Sequence, residues 1–137
     1  MNAPGRVLRI AAAVILDAGG RMLVVRKSGT DAFMQPGGKL EPGESGAACL
    51  VRELEEELAL SVPEHALEPL GRFSAPAANE AGWSVDCDVF RAPGGAITVQ
   101  AELAEARWAS RAELLGLAAA GRLAPLTRDN LDAFLAR

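Results

Sequence analysis

A concentration of glutamates between residues 38 and 60 constrains this chain more than any other feature. Glu53, Glu56 and Glu57 are spaced i, i+3 and i+4, so a helix would place their carboxylates on one face. Like charges at this spacing destabilise a helix by roughly a few tenths of a kcal/mol per pair, which indicates that a cation offsets the repulsion. Clustered carboxylate oxygens suit Mg²⁺ or Mn²⁺ rather than zinc.

The opposite face of the same predicted helix is apolar. Its hydrophobic residues recur at helical spacing and are Ala47, Leu50, Val51, Leu54 and Leu58. Most runs of charge are only solvated surface, and that interpretation applies to Glu55. An apolar stripe, however, fixes a helix against a core and holds its glutamates in place. We therefore interpret residues 46–59 as a helix that carries a metal site.

Fixed spacings extend this pattern on both sides of the glutamates. The positions concerned are Gly38, Glu44, Arg52, Glu53, Leu54, Glu56, Glu57 and Leu60. This frame resembles the signature of the Nudix hydrolase family and departs from it only at Ala59, where the family has glycine. Many matched positions in a fixed frame are far more specific than a single glycine motif. Residues 36–44 (PGGKLEPGE) and 102–108 (ELAEARW) also resemble segments of that family.

The resemblance implies a fold as well as an activity. The implied fold is α+β, a Nudix-type α/β/α sandwich with a mixed β-sheet, and residues 1–137 form a single domain. The implied activity is metal-dependent hydrolysis of the diphosphate linkage in a nucleoside diphosphate derivative. Related modules that only bind a nucleotide or a protein usually lack carboxylates of the signature, whereas this chain retains them. An enzyme is therefore favoured over a non-catalytic nucleotide-binding module.

The same resemblance assigns the metal and catalytic residues. The expected metal ligands are the carboxylates of Glu53, Glu56 and Glu57 and the carbonyl of Gly38, and the expected ion is Mg²⁺, with Mn²⁺ as the alternative. Glu53 or Glu56 orients or deprotonates the attacking water, and the sequence does not divide these roles. Glu102 stands where several members of the family place a late carboxylate that serves as metal ligand or base. Its neighbour Glu105 is the alternative, and for both residues a plain surface position is the competing interpretation.

The remaining candidates hold the loop or contact the substrate. By resemblance, Arg52 pairs with Glu44 and fixes the glycine-rich loop against the helix. The candidates for substrate binding are Arg26, Phe33, Gln35 and Lys39. The two cations, with Lys27, flank the loop and are suited to phosphate. Specificity for the rest of the substrate is expected from Phe33, Met34 and Gln35 before the Gly-Gly turn, from the strand at 83–89 and from the segment near Thr127 and Asn130.

The identity of the substrate depends on the resemblance alone, because a diphosphate-binding helix does not specify a base or sugar. The lead-in to the signature and the small size resemble "house-cleaning" nucleoside triphosphate pyrophosphohydrolases, including members that remove oxidised nucleotides. We therefore expect a nucleoside triphosphate, which could carry an oxidised base, to be cleaved to a nucleoside monophosphate and pyrophosphate. The alternatives are a nucleotide sugar, a dinucleoside polyphosphate and an isoprenyl diphosphate.

Ala59 marks the one departure from the family signature. A residue just past a helix end commonly adopts a left-handed conformation, which disfavours alanine relative to glycine by roughly 1 kcal/mol. Either the helix continues for one more residue or the turn is mildly strained. No carboxylate is displaced in either case, so we expect activity to be retained.

Size, charge and cysteine content restrict the partners of the chain. With 137 residues it can form one core, and its net charge of −4 and pI near 5.0 argue against binding a nucleic-acid polymer. Cys49 and Cys87 lack the spacing of a zinc site and fit a reducing compartment. No apolar stretch approaches the roughly 20 residues that span a bilayer, so no membrane partner is expected. We expect a cytoplasmic protein that binds a small-molecule nucleotide, and a homodimer is left open.

Local patterns divide the chain into strands and helices. Residues 10–16 superficially resemble the apolar part of a signal peptide, but the run is short and ends at Asp17, which favours a hairpin of strands at 7–16 and 21–27. The later predictions are a loop at 28–43, a Ser45-capped helix at 46–59, strands at 67–75 and 83–89, and a turn at 93–95 leading into residues 96–100. Ser110 and Glu113 form a capping box for a helix that Gly121 closes, and Thr127 is expected to cap a last helix.

Overall fold

The computed structural model describes residues 6–136, which form seven strands and four α-helices. The strands are β1 (Val7–Val14), β2 (Met22–Lys27), β3 (Phe33–Met34), β4 (Gly37–Lys39), β5 (Glu68–Pro76), β6 (Ser84–Arg91) and β7 (Leu103–Ala109). The helices are α1 (Gly46–Leu58), α2 (Arg111–Ala119), α3 (Pro125–Asp129) and α4 (Leu131–Leu135), with a short 3₁₀ turn at Glu64–Ala66.

The strands form two sheets between two layers of helix. One sheet has the order β4-β1-β6-β5 and is mixed, since β1 and β6 are parallel and the other pairs are antiparallel. The second sheet, β3-β2-β7, is antiparallel. One hydrophobic core lies beneath α1, and a second lies beneath α2, α3 and α4. The predicted α/β/α sandwich with a mixed sheet is therefore confirmed.

The first predicted hairpin is wrong as a strand pairing. β1 and β2 meet only at their connecting turn, through a Leu16–Met22 bridge and a hydrogen bond of 2.9 Å from Leu23 N to Ile15 O. Beyond the turn the two strands separate into different sheets. The reason is that both faces of β1 are apolar: Ala11 and Ala13 pack towards α1, and Ala12 and Val14 pack towards the other helices. A strand that is buried on both faces requires a central position with helices on each side.

Other boundaries follow the sequence predictions with three differences. The expected loop at 28–43 contains the short strands β3 and β4, and β7 occupies a segment in which no strand was predicted. Residues 96–100, for which no strand or helix was predicted, run along the end of α1, with Thr98 N donating to Leu58 O at 2.8 Å. Thr127 lies buried inside α3 and does not cap a helix, because its hydroxyl donates to Gln35 Oε1 at 2.9 Å.

Helix α1 begins and ends close to the predicted residues. The Ser45 hydroxyl accepts a hydrogen bond from Ala48 N and caps the first turn. Leu50, Leu54 and Leu58 are fully buried, so the apolar stripe fixes the helix to the core. The helix stops before Ala59, whose φ of 53° is left-handed. Of the two alternatives for this position, the strained turn is therefore the observed one.

Candidate active site

Two glycines allow β4 to lie close to β1 and to the acidic face of α1. A Cβ atom on Gly37 would overlap the Ala11 carbonyl of β1, and one on Gly38 would overlap the Glu53 carboxylate. Gly37 also has a φ of 152°, a backbone conformation that other residues rarely adopt. A side chain at Gly37 would therefore push β4 away from β1, and one at Gly38 would push it away from α1. The close approach places the backbone at Gly38 directly beside Glu53.

Arg52 connects the loop to the helix. Its guanidinium donates from Nε and Nη2 to both carboxylate oxygens of Glu44, each at 2.8 Å, and from Nη1 to Glu53 Oε1 at 2.8 Å. It also donates to the Lys39 carbonyl at 3.2 Å. These hydrogen bonds, together with one from the backbone N–H of Glu41, lower the pKa of Glu44 to about 2. Such a bidentate pair fixes the relative positions of the two segments that it joins.

Glu57 is the most buried carboxylate of the site. The residue is only 6% exposed, and its Oε1 atom has no hydrogen-bond partner. Burial, reinforced by the charge of nearby Glu53, raises the pKa of Glu57 to about 7. Burial also raises the pKa of Glu53. Lys27 opposes both shifts, which places its ammonium group near the two carboxylates.

The donor set fits a hard divalent cation. A buried carboxylate oxygen without a partner, a second desolvated carboxylate and an adjacent backbone carbonyl are the oxygen ligands that Mg²⁺ prefers. Glu56 is more exposed, at 56% of its side chain, and lies 3.5 Å from Arg52. Within residues 6–136 no three side chains of His, Cys, Asp or Glu already converge on one point. A cation at this site would therefore draw in carboxylates that are now spread along the helix face.

A cleft of about 560 Å³ begins beside this site and extends across the sheet. Its near end is lined by Lys27, Gly37, Gly38, Lys39 and Glu102. Lys39 is largely exposed and forms an ion pair of 3.2 Å with Glu80, which lies across the cleft. Cations and glycine backbone next to a group of carboxylates provide an environment suited to a metal-chelated diphosphate.

Much of the cleft lining is apolar. Its walls include Leu8, Ile10, Met34, Val85 and Leu126. Gln35 and Thr127 also line the cleft and are hydrogen-bonded to each other. Of the residues predicted to bind substrate, Gln35 and Lys39 thus line the cleft.

Glu102 lies on the exposed surface at the cleft, and a missed residue positions it. Gln100 donates through Nε2 to the carbonyls of Glu55 and Glu56, at 2.9 and 3.0 Å, and through its backbone N–H to Glu57 O. The segment of Glu102 is thereby attached to the C-terminal end of α1. No local signal reveals Gln100, because its partners are more than forty residues earlier in the chain.

Two of the predicted substrate-binding residues do not line the cleft. Phe33 is fully buried, and the guanidinium groups of Arg107 and Arg122 lie 4.6 and 5.4 Å from the centre of its ring. Arg26 is held by Glu105, at 2.9 Å, and by the carbonyl of Thr30. The prediction that Phe33 and Arg26 contact the substrate directly therefore does not agree with their positions. The structure also gives no support to Glu105 as the late carboxylate, because Glu105 is paired with Arg26 and does not line the cleft.

Comparison with known proteins identifies the family. The NUDIX domain model matches residues 7–130, so the chain belongs to the Nudix family, and it is a hydrolase. Hydrolases of this family generally use divalent metal ions and act on small-molecule nucleotides. The comparison with curated proteins produced no match. In the part of the chain that the structure describes, no helix is both long enough and apolar enough to cross a membrane.

Solved structures share this fold. The E. coli ORF135 protein is 27% identical with a TM-score of 0.71, over 94% of this chain and 89% of that one. The MutT protein from Methanosarcina mazei Go1 is 24% identical with a TM-score of 0.75, over 93% and 92% of the two chains. A MutT/nudix family protein from Enterococcus faecalis is 19% identical with a TM-score of 0.64 over 79% of this chain, which spans only 45% of that protein.

Proposed function

We propose that this hydrolase cleaves the diphosphate linkage of a nucleoside triphosphate, with Mg²⁺ as the preferred ion, to release a nucleoside monophosphate and pyrophosphate. In this reaction water adds to one phosphorus atom, the P–O–P bridge breaks, and the bridging oxygen leaves with the phosphate group that water does not attack. The proposal rests on one observation. The partly desolvated carboxylates Glu53 and Glu57 stand behind the glycine backbone at one end of a cleft that is large enough for a nucleotide.

The metal ligands that we propose are Glu53, Glu56, Glu57 and the carbonyl of Gly38. The unpartnered Oε1 atom of Glu57 supports this choice, because a buried carboxylate oxygen without a hydrogen bond is costly unless something else compensates its charge. When bound, a divalent cation neutralises phosphate charge and makes water more acidic. Arg52 holds Glu44 through two hydrogen bonds and Glu53 through one, each of 2.8 Å, whereas its contact with Glu56 is longer, at 3.5 Å.

The proposed roles of the protein in the chemical step are orientation and proton transfer. Glu53 or Glu56 accepts the proton of the attacking water, and Glu102, at the cleft, is a second candidate for this role. Lys39 and Lys27 line the same end of the cleft and supply positive charge for phosphate oxygens. Lys39 must leave its exposed ion pair with Glu80 to do so, and an exposed pair of this kind holds it only weakly.

A panel of nucleoside triphosphates, assayed for pyrophosphate release with Mg²⁺, tests the proposal. Glu53→Gln and Glu56→Gln should each lower kcat by roughly 100-fold or more, because each removes a charge with little change in volume. Glu55→Gln is the matched control, since Glu55 lies on the same helix with an exposed side chain. A chelator should abolish turnover, and Mg²⁺ should restore it.

Two results would count against this function. Turnover close to that of the wild type in both glutamine variants would remove α1 as the catalytic element. A kcat/KM far higher for nucleotide sugars, dinucleoside polyphosphates or isoprenyl diphosphates than for any triphosphate would refute the substrate while leaving the hydrolase assignment in place.

A further inference from the structure

One glutamine side chain binds the C-terminal end of α1 from outside the helix. Gln100 Nε2 lies 2.9 Å from the carbonyl oxygen of Glu55 and 3.0 Å from that of Glu56. Its backbone N–H donates to the carbonyl of Glu57, also at 3.0 Å. A carbonyl oxygen only accepts hydrogen bonds, so the amide nitrogen of Gln100 must face the helix. Gln100 thus contacts the backbone of consecutive helix residues, of which Glu56 and Glu57 are proposed metal ligands.

The segment that carries Glu102 is held on its other side by β2. The backbone N–H of Ser28, the residue after β2, donates to the carbonyl of Glu102 at 2.8 Å. Leu103, the next residue along the chain, begins β7 and pairs with Lys27 of β2. Residues 100–103 therefore connect the end of α1 to the end of β2, with an anchor at each side.

Ala101, between the two anchors, has a left-handed backbone. Its φ is 55°, a conformation that residues other than glycine rarely adopt because it brings Cβ too close to the backbone. Such a conformation persists only where the surrounding contacts impose it. The nearest contacts are those of Gln100 and Glu102. They, rather than the local preference of alanine, set the direction in which the chain leaves Gln100.

This backbone path directs Glu102 to the site. Ala101 and Glu102 both line the cleft, whereas Gln100 does not. The negative charge of Glu102 contributes to the raised pKa of Glu57, which places the two carboxylates near one another. A carboxylate in this position acts on the metal site or on the attacking water only if its distance from α1 is fixed. A displacement of about 1 Å removes much of the effect of a reacting group.

We propose that Gln100 is a positioning residue for hydrolysis, which acts through Glu102 by holding residues 100–102 against the end of α1. The inference rests on the proposed function of this site, in which Glu102 takes part, and not on the choice of nucleotide. The backbone N–H of Gln100 is retained in any substitution except proline, so the side-chain amide is the part of the attachment that a variant removes. Its loss lets the segment move away from the helix, and Glu102 moves with it.

A purely structural role for Gln100 makes a different prediction. In that case the amide only supplies donors to the last turn of α1, and its loss lowers stability without affecting the contribution of Glu102. Gln100→Met is similar in size and has no donor. Gln100→Lys places an ammonium group at the same helix end, where it can donate to the carbonyls and interacts favourably with the helix dipole. This variant should therefore keep the segment in place.

A double-mutant cycle with Glu102→Gln tests the coupling. The wild type, Gln100→Met, Glu102→Gln and the double variant are compared at saturating Mg²⁺ on a diphosphate compound that the wild type hydrolyses. Gln100→Met should lower kcat roughly 10-fold in the wild type and have little further effect once Glu102 is replaced. Gln100→Lys should recover most of the kcat that Gln100→Met loses.

Mn²⁺ binding to the substrate-free protein provides a second measurement that does not depend on turnover. The charge of Glu102 near Glu57 attracts a cation, so Glu102→Gln and Gln100→Met should each weaken binding by roughly two- to fivefold in electron paramagnetic resonance titrations. The double variant should bind no more weakly than Glu102→Gln alone. Thermal unfolding of the same proteins reports the structural effect.

Ser110→Ala is the control for a general loss of stability. The Ser110 hydroxyl caps α2, and the residue does not line the cleft. This variant should lower the unfolding temperature and change neither kcat nor Mn²⁺ binding. If Gln100→Met does not fold, Gln100→Asn takes its place in the cycle, because its amide is one methylene shorter and does not reach the same carbonyls.

Two kinds of result would overturn the inference. One is a loss of kcat on replacing Gln100 that is equally large with and without Glu102. The other is a kcat equal to that of the wild type in Gln100→Met or in Glu102→Gln. A wild type that hydrolysed another diphosphate compound but no triphosphate would refute the proposed substrate, and the cycle on that compound would still decide the role of Gln100. A wild type that hydrolysed no diphosphate compound would refute both.

Discussion

Replacement of Glu57 by glutamine should stabilise the metal-free protein at alkaline pH while impairing its activity. Glu57 is nearly inaccessible to solvent, and its Oε1 lacks a hydrogen-bond partner. Ionisation at this position is unfavourable, because burial and the charge of Glu53 outweigh the backbone hydrogen bond from Gly37 and the charge of Lys27. Glutamine has almost the same shape and cannot ionise, so the substitution isolates the contribution of the charge.

The size of the effect follows from the pKa. Burial raises the pKa of Glu57 from its ordinary value of 4.5 to about 7. Below pH 4.5 the carboxyl is protonated in both the folded and unfolded states, so it has no effect on their difference. As the pH rises from 4.5 through about 7, the unfolded chain ionises first and stability is lost. At about 1.4 kcal/mol per pKa unit, the full loss is about 3 kcal/mol, an upper bound for the gain in the variant.

Urea unfolding in the presence of a chelator measures this difference. Between pH 5 and pH 8 the free energy of unfolding should fall less in Glu57→Gln than in the wild type, by up to about 3 kcal/mol. At pH 8 the midpoint of the variant should be higher by about 1 to 3 M urea if the full effect is realised. The comparison of two proteins at each pH cancels the other titrating groups. Glu55→Gln, on the exposed side of α1, should show no such difference.

One result would refute the reasoning about Glu57. If Glu57→Gln were no more stable than the wild type at pH 8, and the difference between them did not vary from pH 5 to pH 8, the carboxylate would not be desolvated. The same variant should lose turnover with Mg²⁺. A variant that is more stable yet inactive would show that the charge at this position serves function at the expense of stability.

Three further outcomes follow from backbone geometry and burial. Gly38→Ala should abolish most activity, because its Cβ would overlap the Glu53 carboxylate, whereas Gly116→Ala, with open space around its Cβ, should retain activity and gain up to about 1 kcal/mol in urea unfolding. Ala59→Gly should raise the free energy of unfolding by up to about 1 kcal/mol, since the residue has a φ of 53°. Cys49 should react slowly with iodoacetamide until the protein unfolds, because burial raises its pKa to about 12.

Helix α1 was predictable because its signals are local. The Ser45 cap, the leucines at intervals of four and the stop after residue 58 all lie within one segment, and each acts on the backbone next to it. The capping box of α2 belongs to the same class, with Ser110 and Glu113 bonded as expected. The acidic face of α1 could therefore be predicted from the sequence before any tertiary contact was known.

The strands were harder to predict because their partners are distant in sequence. β1 and β2 are joined by a turn that resembles a hairpin, yet β1 pairs along its length with β6, more than seventy residues later. β7 contains charged side chains at Glu105 and Arg107, and its strand conformation depends on pairing with β2. A pattern of apolar residues predicts an extended segment, but it does not specify the strand with which that segment pairs.

The hydrogen bond between Gln35 and Thr127 was not predictable for the same reason. The two residues are 92 positions apart, and neither belongs to a motif that indicates this bond. The segment near Thr127 was expected to contribute to specificity, but Thr127 itself was interpreted as a helix cap, since threonine before an apolar run favours that role. Only the packing of α3 over the β3–β4 connection turns the residue inwards. The acidic face of α1 is therefore readable from a continuous segment, whereas contacts between distant segments require the fold.

The C-terminal end of α1 connects a local requirement of the helix with a contact between distant segments. A helix leaves its last carbonyl groups without intrahelical partners, and those of residues 55–58 must find donors elsewhere. The backbone N–H of Ala59 donates to the carbonyl of Glu55. The N–H of Thr98 donates to the carbonyl of Leu58, and the N–H of Gln100 donates to that of Glu57. The side chain of Gln100 donates to the carbonyls of Glu55 and Glu56. The same hydrogen bonds hold residues 98–100 against the helix and so bring Glu102, two residues further on, to the cleft. Satisfying the helix terminus and delivering a distant carboxylate to the site are therefore one structural requirement.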